Sequence, residues 1–256
     1  MDYMARLEGF VRDLRIAISL CTRLPGAPSA AVGEGDVARA GWAFPIAGAL
    51  IGLIAAVVYW LAERLHLPPL VASVLALATS VILTGAMHED GLADTADGFG
   101  GGRTREKKLE IMRDSRIGTY GACALGLSLL LRWSALAALD DTRSVAIALI
   151  VAHGAARATL PAFMSLVAPA RTEGLSSGAG RPPPTSVAVA LGLGVVALAI
   201  GFGLSAMLKG VVALAAIGLL LTRLAQRQIG GQTGDVLGAL EQTAEATLLL
   251  LATTLL

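Results

Sequence analysis

Stretches of about twenty apolar residues, separated by short polar segments, recur along this chain. They cover 40–62, 69–87, 120–139, 143–166, 185–207 and 210–229, and a shorter one runs from 242 to 256. Each of the first six is long enough to cross a bilayer as a helix, the form in which a backbone in hydrocarbon satisfies its own polar groups. Pro68-Pro69 and Pro182-Pro183-Pro184 stand at two helix starts, where the amide has no helical partner. Over residues 5–24, Leu7, Phe10, Val11, Leu14 and Ile18 recur at helical spacing among charges. That pattern fits an amphipathic helix lying on the membrane surface, or equally a soluble helix packed on the bundle. The expectation is an all-α, polytopic membrane helix bundle of six to seven transmembrane helices plus an N-terminal amphipathic helix. It forms one domain, 1–256, with the amphipathic segment inside 1–30.

Composition agrees. Of 256 residues, 55% are hydrophobic and 15% charged, where a soluble domain carries about 25% charged residues. Mean hydropathy is +0.71. A net charge of +1 excludes nucleic acid as a bulk electrostatic partner. Cys21 and Cys123 have neither metal-ligand spacing nor a disulfide framework. Arg12, Arg15 and Arg23 interrupt the N-terminal region, which therefore lacks the clean apolar core of a cleavable signal. Orientation follows from where the basic residues cluster. The connection 88–119 holds Arg103, Arg105, Lys107, Lys108, Arg113 and Arg116. Connection 167–184 holds Arg171 and Arg181, and Arg223 and Arg227 approach 230–241. These three connections are expected on the cytoplasmic side. The opposite side holds Arg64, Arg143 and Lys209, with Arg132 within a turn or two of it. Trp42, Trp60 and Trp133 read as interface anchors.

The candidate chemistry lies in His88-Glu89-Asp90-Gly91-Leu92-Ala93-Asp94-Thr95-Ala96-Asp97-Gly98, four carboxylates directly after an apolar run. Acids so close to hydrocarbon are costly unless neutralised, which marks a functional site. At about 100° per residue Asp90, Asp94 and Asp97 share one helix face, whereas Glu89 falls off it. A divalent cation relieves the repulsion among three like charges, and hard oxygen ligands suit Mg²⁺, which holds phosphate at the same time. The following Gly98-Phe99-Gly100-Gly101-Gly102-Arg103 is either a flexible helix exit or a phosphate cradle with Arg103 as anion partner. Arg113, Asp114 and Arg116 precede the next span and suit gripping a diphosphate. A second polar connection, Gly230-Gly231-Gln232-Thr233-Gly234-Asp235, is followed by Glu241 and Glu245 one turn apart. Gly234, Asp235 and these acids suit phosphate or a second metal. His153 and Arg157 read as a structural pair inside the bundle or a substrate contact. His88 is a helix-end anchor, a ligand or a proton acceptor.

The run Thr84 to Gly98 resembles the hallmark of the cobalamin synthase family, the adenosylcobinamide-GDP ribazoletransferases. Ile111 to Gly121, Thr22-Arg23-Leu24-Pro25, Phe44-Pro45-Ile46-Ala47-Gly48 and Gly231 to Ala239 extend the likeness over essentially the whole chain. The resemblance implies an inner-membrane enzyme with cytoplasmic active-site loops. It implies a Mg²⁺-dependent reaction of adenosylcobinamide-GDP with α-ribazole or its 5′-phosphate, releasing GMP. Carried over by motif, Asp90, Asp94, Asp97, Arg113, Asp114, Arg116 and Asp235 form its site. Asp90, Asp94 and Asp97 are the expected metal ligands, with Asp94 or Asp97 alternatively a proton acceptor. Arg113 and Arg116 neutralise phosphate oxygens or the departing GMP. Membrane lipid, a homo-oligomer and other cobalamin-assembly enzymes are the remaining expected partners.

Two rivals come from other readings. Asp94-Thr95-Ala96-Asp97-Gly98 matches the opening of the CDP-alcohol phosphotransferase motif, but Gly101-Gly102 stand where that family has Ala-Arg. An ion-coupled transporter would place acids near the bilayer midplane and show repeat symmetry, and no repeat is visible.

Overall fold

The computed structural model describes residues 2–26, 31–172, 174 and 178–256, with only the backbone for 2, 3, 5 and 6. Parts of the expected N-terminal segment (27–30) and of the 167–184 connection (173, 175–177) lie outside the described residues. The helices are α1 Asp2–Cys21, α2 Asp36–Ala40, α3 Phe44–Arg64, α4 Pro69–Thr84, α5 Met87–Gly101, α6 Arg105–Ile111 and α7 Thr119–Leu139. After these come α8 Thr142–Ala158, α9 Leu160–Leu166, α10 Pro184–Phe202, α11 Leu204–Ile229 and α12 Gly234–Ala252. A 3-10 turn, Gly41–Ala43, joins α2 to α3. No β-strand occurs among the described residues, and one isolated parallel bridge pairs Pro169 with Gln232.

The expected all-α polytopic bundle forms. Five helical stretches, 36–64, 119–139, 142–166, 184–202 and 204–229, are long and apolar enough to cross a membrane, and a bent α4–α5 pair raises the number to six. Large apolar side chains such as Leu53, Ile82, Leu127, Ile200, Leu208 and Leu219 remain exposed, as lipid-facing residues of a membrane bundle do. Small residues let the backbones meet inside. Gly48 and Gly52 of α3 lie against the His153 and Leu149 carbonyls of α8, with Ala47, Ala55, Ala148, Ala152 and Ala155 buried around them.

Three sequence expectations change. The run 69–87 is not a straight span, because Gly85 and Ala86 both take left-handed backbone (φ 63° and 58°) and α5 leaves α4 at 86°. Glycine adopts that conformation freely, whereas at Ala86 it costs about 1 kcal/mol or more. The Arg23 amide donates to the Leu83 carbonyl at 2.6 Å and holds the end of α4. Second, the expected loop 88–119 is mostly helix, α5 and α6. Gly98 packs on Met112 and Gly100 on the Tyr120 ring, so these glycines serve close packing rather than a slack exit or a cradle. Third, only 230–233 of the expected loop 230–241 is loop. The acid-bearing α12 has Leu240, Ala244, Leu248 and Leu249 buried in the bundle, and the run 242–256 is its second half and following turn rather than a separate span.

Helix α1 packs on the bundle through its second half. Ile16, Ala17 and Cys21 are buried against the bundle, while Leu7, Phe10 and Val11 are exposed. Arg12 pairs with Asp36 at 2.6 Å and Arg39 with Asp13 at 2.9 Å. Trp42 donates its indole N–H to Asp13 at 3.1 Å and stacks on Phe10, so it ties α1 down rather than anchoring the interface. Trp133 ties α7 to the start of α4 through the Leu70 carbonyl. Trp60 is exposed with the Arg64 guanidinium 5.4 Å from its ring centre, as an interface anchor would be.

Candidate active site

The acidic helix α5 lies along α12, and two glycines set their separation. A Cβ on Gly91 would stand 2.8 Å from the Asp235 carbonyl oxygen and 3.1 Å from the Gly238 Cα. Contact this close needs glycine on both helices, and Gly238 supplies it on α12, where a Cβ would stand 3.1 Å from the Gly91 Cα. The crossing brings the motif around Asp90 and Asp94 to the start of α12, where Asp235 sits. Electrostatically, Asp94 feels Asp90 first, then Asp235 and Asp97, with Arg171 opposing.

Asp235 occupies the first turn of α12, whose N-terminus Thr233 caps by accepting the Val236 amide at 3.3 Å. The Thr233 hydroxyl donates to Asp235 at 3.1 Å, and Arg171 approaches it at 3.5 Å. Burial pushes the Asp235 carboxyl above its ordinary range, Arg171 and Thr233 pull it down, and Asp90 pushes it up again.

Asp97 has a different setting. Its two oxygens accept the Gly118 amide at 2.7 Å and the Gly121 amide at 2.8 Å, so it caps the start of α7. The expected face of three aspartates therefore divides. Asp90 is exposed, Asp94 is half-buried, and Asp97 is buried against α7.

Two clefts flank α5. A polar one of about 410 Å³ is lined by Asp90, Asp94, Arg113, Asp114 and Ser115. The other, about 210 Å³, has Asp90, Asp235 and Gly234 at one end and apolar side chains elsewhere. Arg116 is exposed at the rim and bonds Asp114 through both faces of its fork, at 3.0 and 2.7 Å. This pairing holds the Asp114 carboxyl down at about 2. Arg103 is exposed in the turn after α5 and lines neither cleft. Arg105 staples the polar end of the bundle, donating to the Ile229 carbonyl at 2.8 Å and the Ala170 carbonyl at 2.6 Å.

Beneath the clefts lies a buried ionic cluster that the sequence reading missed as a unit. Arg132 donates to Glu89 and Glu245, each at 3.1 Å, and Arg157 pairs with Glu241 at 2.5 Å. His153 Nδ1 stands 2.8 Å from Glu245, and Gln242 donates to Glu89 at 3.2 Å. His88 Nδ1 lies 3.3 Å from Arg157. These contacts bear on several expectations. Arg132, about two turns from the end of α7 at Leu139, is fully buried there, and Glu241 and Glu245 hold arginines rather than phosphate or a second metal. Glu89 is buried and paired with Arg132, though it borders the polar cleft beside Asp90, and His153 with Arg157 form an interior structural pair. The i, i+4 spacing of Glu241–Glu245 and of His153–Arg157 was the signal available, but nothing in one sequence pairs two such helices.

His153, Glu241 and Glu245 are the one trio among the described residues whose ligand atoms lie within 4.8 Å of one another. Arg132 and Arg157 already pair with those carboxylates, so a cation there would face two guanidinium groups. The aspartates are spread more widely. That spread suits Mg²⁺, which takes one or two carboxylates and completes its shell with water and substrate phosphate.

Fold and site together define a polytopic membrane protein with an acidic cleft at the polar end of its bundle. The chain matches the family described as cobalamin-5-phosphate synthase over residues 13–253, and it belongs to that family. It is 58% identical to the adenosylcobinamide-GDP ribazoletransferase of Bradyrhizobium diazoefficiens over 246 residues, 96% of this chain and 95% of the relative. The protein of the same name from Mesorhizobium japonicum is 47% identical, covering 94% and 92%. That from Ralstonia nicotianae is 40% identical, covering 96% of both. No solved structure matches.

Proposed function

We propose that this chain joins adenosylcobinamide-GDP to α-ribazole or its 5′-phosphate at the cytoplasmic face of the inner membrane, releasing GMP. The family membership supports the reaction, and one observation of the fold supports its place: Asp90 lines both clefts, so two substrates entering separately meet at one carboxylate. A ribose hydroxyl oxygen forms a bond to the cobinamide-linked phosphorus, and the bond from that phosphorus to the bridging oxygen of GMP breaks. Both reactants are anionic when ribazole is phosphorylated, so positioning and charge neutralisation are the main demands.

Asp90 and Asp94, with Asp235 facing them, would hold Mg²⁺, which supplies Lewis acidity and a template for the diphosphate. Asp94 is also the better-placed proton acceptor, because both Asp97 oxygens already accept amides. Arg113 lines the polar cleft and neutralises equatorial oxygens. Arg116, oriented by Asp114, stands at the rim to meet the departing GMP. Arg171 tempers the negative charge around Asp235.

The test is GMP release by purified protein in lipid. Release is expected only when both substrates and Mg²⁺ are present. GMP formed without ribazole, or none with either ribazole form, contradicts the proposal. With the family established, neither the CDP-alcohol phosphotransferase nor the transporter reading has a specific observation in its favour.

A further inference from the structure

The two clefts beside α5 differ in chemistry. The polar one presents Arg113, Asp114 and Ser115 beside Asp90 and Asp94. The other is walled by Leu20, Cys21, Val37, Phe44, Leu160 and Met164, and its polar groups, His88, Asp90 and Asp235, lie on the α5–α12 side. Burial pushes the Cys21 thiol up to about 11, which leaves it neutral, and the Arg157 guanidinium behind Cys21 and His88 is paired with Glu241. Two of the walls, α1 and α2, lie outside the main α3–α8 packing. Asp13 joins α1 to α2 and to the 3-10 turn before α3 through Arg39 and Trp42, and Asp36 joins α2 back to α1 through Arg12. The N-terminal helix thus closes a small apolar chamber whose one charged edge is the acidic site.

Resting on the proposed reaction, we infer that this apolar chamber binds the aromatic base of the ribazole, with its ribose directed at Asp90, while the polar cleft takes the guanosine diphosphate end of the other substrate. A benzimidazole base is planar, apolar and uncharged, so a chamber without a cationic wall suits it. A guanosine diphosphate needs cationic and hydrogen-bonding groups, which Arg113 and Ser115 supply in the larger cleft. The corrin exceeds both volumes and stays outside. With Asp90 bordering both clefts, the hydroxyl can approach the phosphorus from the side opposite the leaving GMP, as in-line displacement requires.

Val37 is half-buried at the chamber wall, so a larger side chain there can enter the chamber without rebuilding a core. Val37→Phe is expected to raise the KM for ribazole bearing a dimethylated benzimidazole by about tenfold, the usual scale for one misfitted apolar group. The KM for unmethylated ribazole should rise less, and that for adenosylcobinamide-GDP should stay put. A selective rise for adenosylcobinamide-GDP, or equal rises for all three, overturns the assignment.

A second measurement does not depend on that variant's folding. In a Val37→Cys, Cys123→Ala chain, α-ribazole phosphate should slow maleimide labelling of position 37, and guanosine diphosphate with Mg²⁺ should not. Protection by guanosine diphosphate alone, or by neither compound, overturns the assignment. Wild-type turnover separates the two levels. Its absence sinks the proposed reaction together with this inference, whereas normal turnover with the wrong protection pattern sinks the inference alone.

Discussion

At the residue scale, the chain sets two kinds of buried or half-buried acid side by side. Glu89, Glu241 and Glu245 pair with Arg132 and Arg157, so most of their charge is balanced within the protein. Asp90, Asp94 and Asp235 face mainly one another, with Arg171 as partial relief, so their charge is left for a ligand. The contrast predicts opposite mutational outcomes. Replacing Arg132 with methionine strands two carboxylates in the interior, and breaking a buried pair in this way costs about 3–5 kcal/mol. A thermal melt in detergent should fall steeply, and it should recover in part when Glu89→Gln and Glu245→Gln are added. Asp235→Asn should do the reverse. A carboxyl raised in the fold contributes stability below its unfolded pKa and loses it as pH rises through the folded value. At neutral pH the asparagine variant should therefore melt above the wild type without Mg²⁺, and that advantage should shrink as pH falls toward the ordinary carboxylate range. Equal melting at all pH values would contradict the electrostatic account. At this scale the sequence was informative about Asp90 and Asp94, because helical phase puts them on one side. It misjudged Asp97, because the amides of Gly118 and Gly121 come from a helix that phase cannot place.

At the element scale, the site depends on how closely α5 approaches α12. Gly91→Ala would drive a Cβ toward the Asp235 carbonyl and the Gly238 backbone. Overpacking of that kind costs about 1–3 kcal/mol. Because the displaced atoms carry Asp235, turnover should fall further than the melting temperature suggests, with a raised Mg²⁺ requirement. A loss of stability with unchanged Mg²⁺ dependence would show that the crossing serves packing only. The helices themselves were legible as apolar runs between polar segments. The bend at Gly85-Ala86 was not, because an apolar run reads the same whether the helix continues or turns through 86°. Nor was α12, whose Asp235, Glu241 and Glu245 read as a polar connection until Arg157, Arg132 and His153 were found to meet two of them.

At the scale of the whole molecule, the polar connections carrying Arg105, Arg171 and Asp235 gather at one end of the bundle, stapled by Arg105 to the Ala170 and Ile229 carbonyls. The basic bias of those connections predicts that this end faces the cytoplasm. A single cysteine placed at exposed Lys107, in a Cys123→Ala background, should react with an impermeant maleimide in inside-out vesicles and not in right-side-out ones. The opposite labelling would invert the orientation. This arrangement also explains why the charge pattern could name a side of the membrane while leaving the substrates to the family likeness: two clefts made from seven separate helices have no local sequence pattern. The central claim is that Asp90 and Asp94 hold the metal on which joining the two substrates depends. Its most direct test is Asp94→Asn beside wild type in lipid nanodiscs, with GMP release and the Mg²⁺-induced thermal shift measured on the same samples. The account predicts that the variant melts no lower than wild type without Mg²⁺, loses the thermal shift and releases no GMP. A variant that still turns over, or that keeps the full shift, would contradict it.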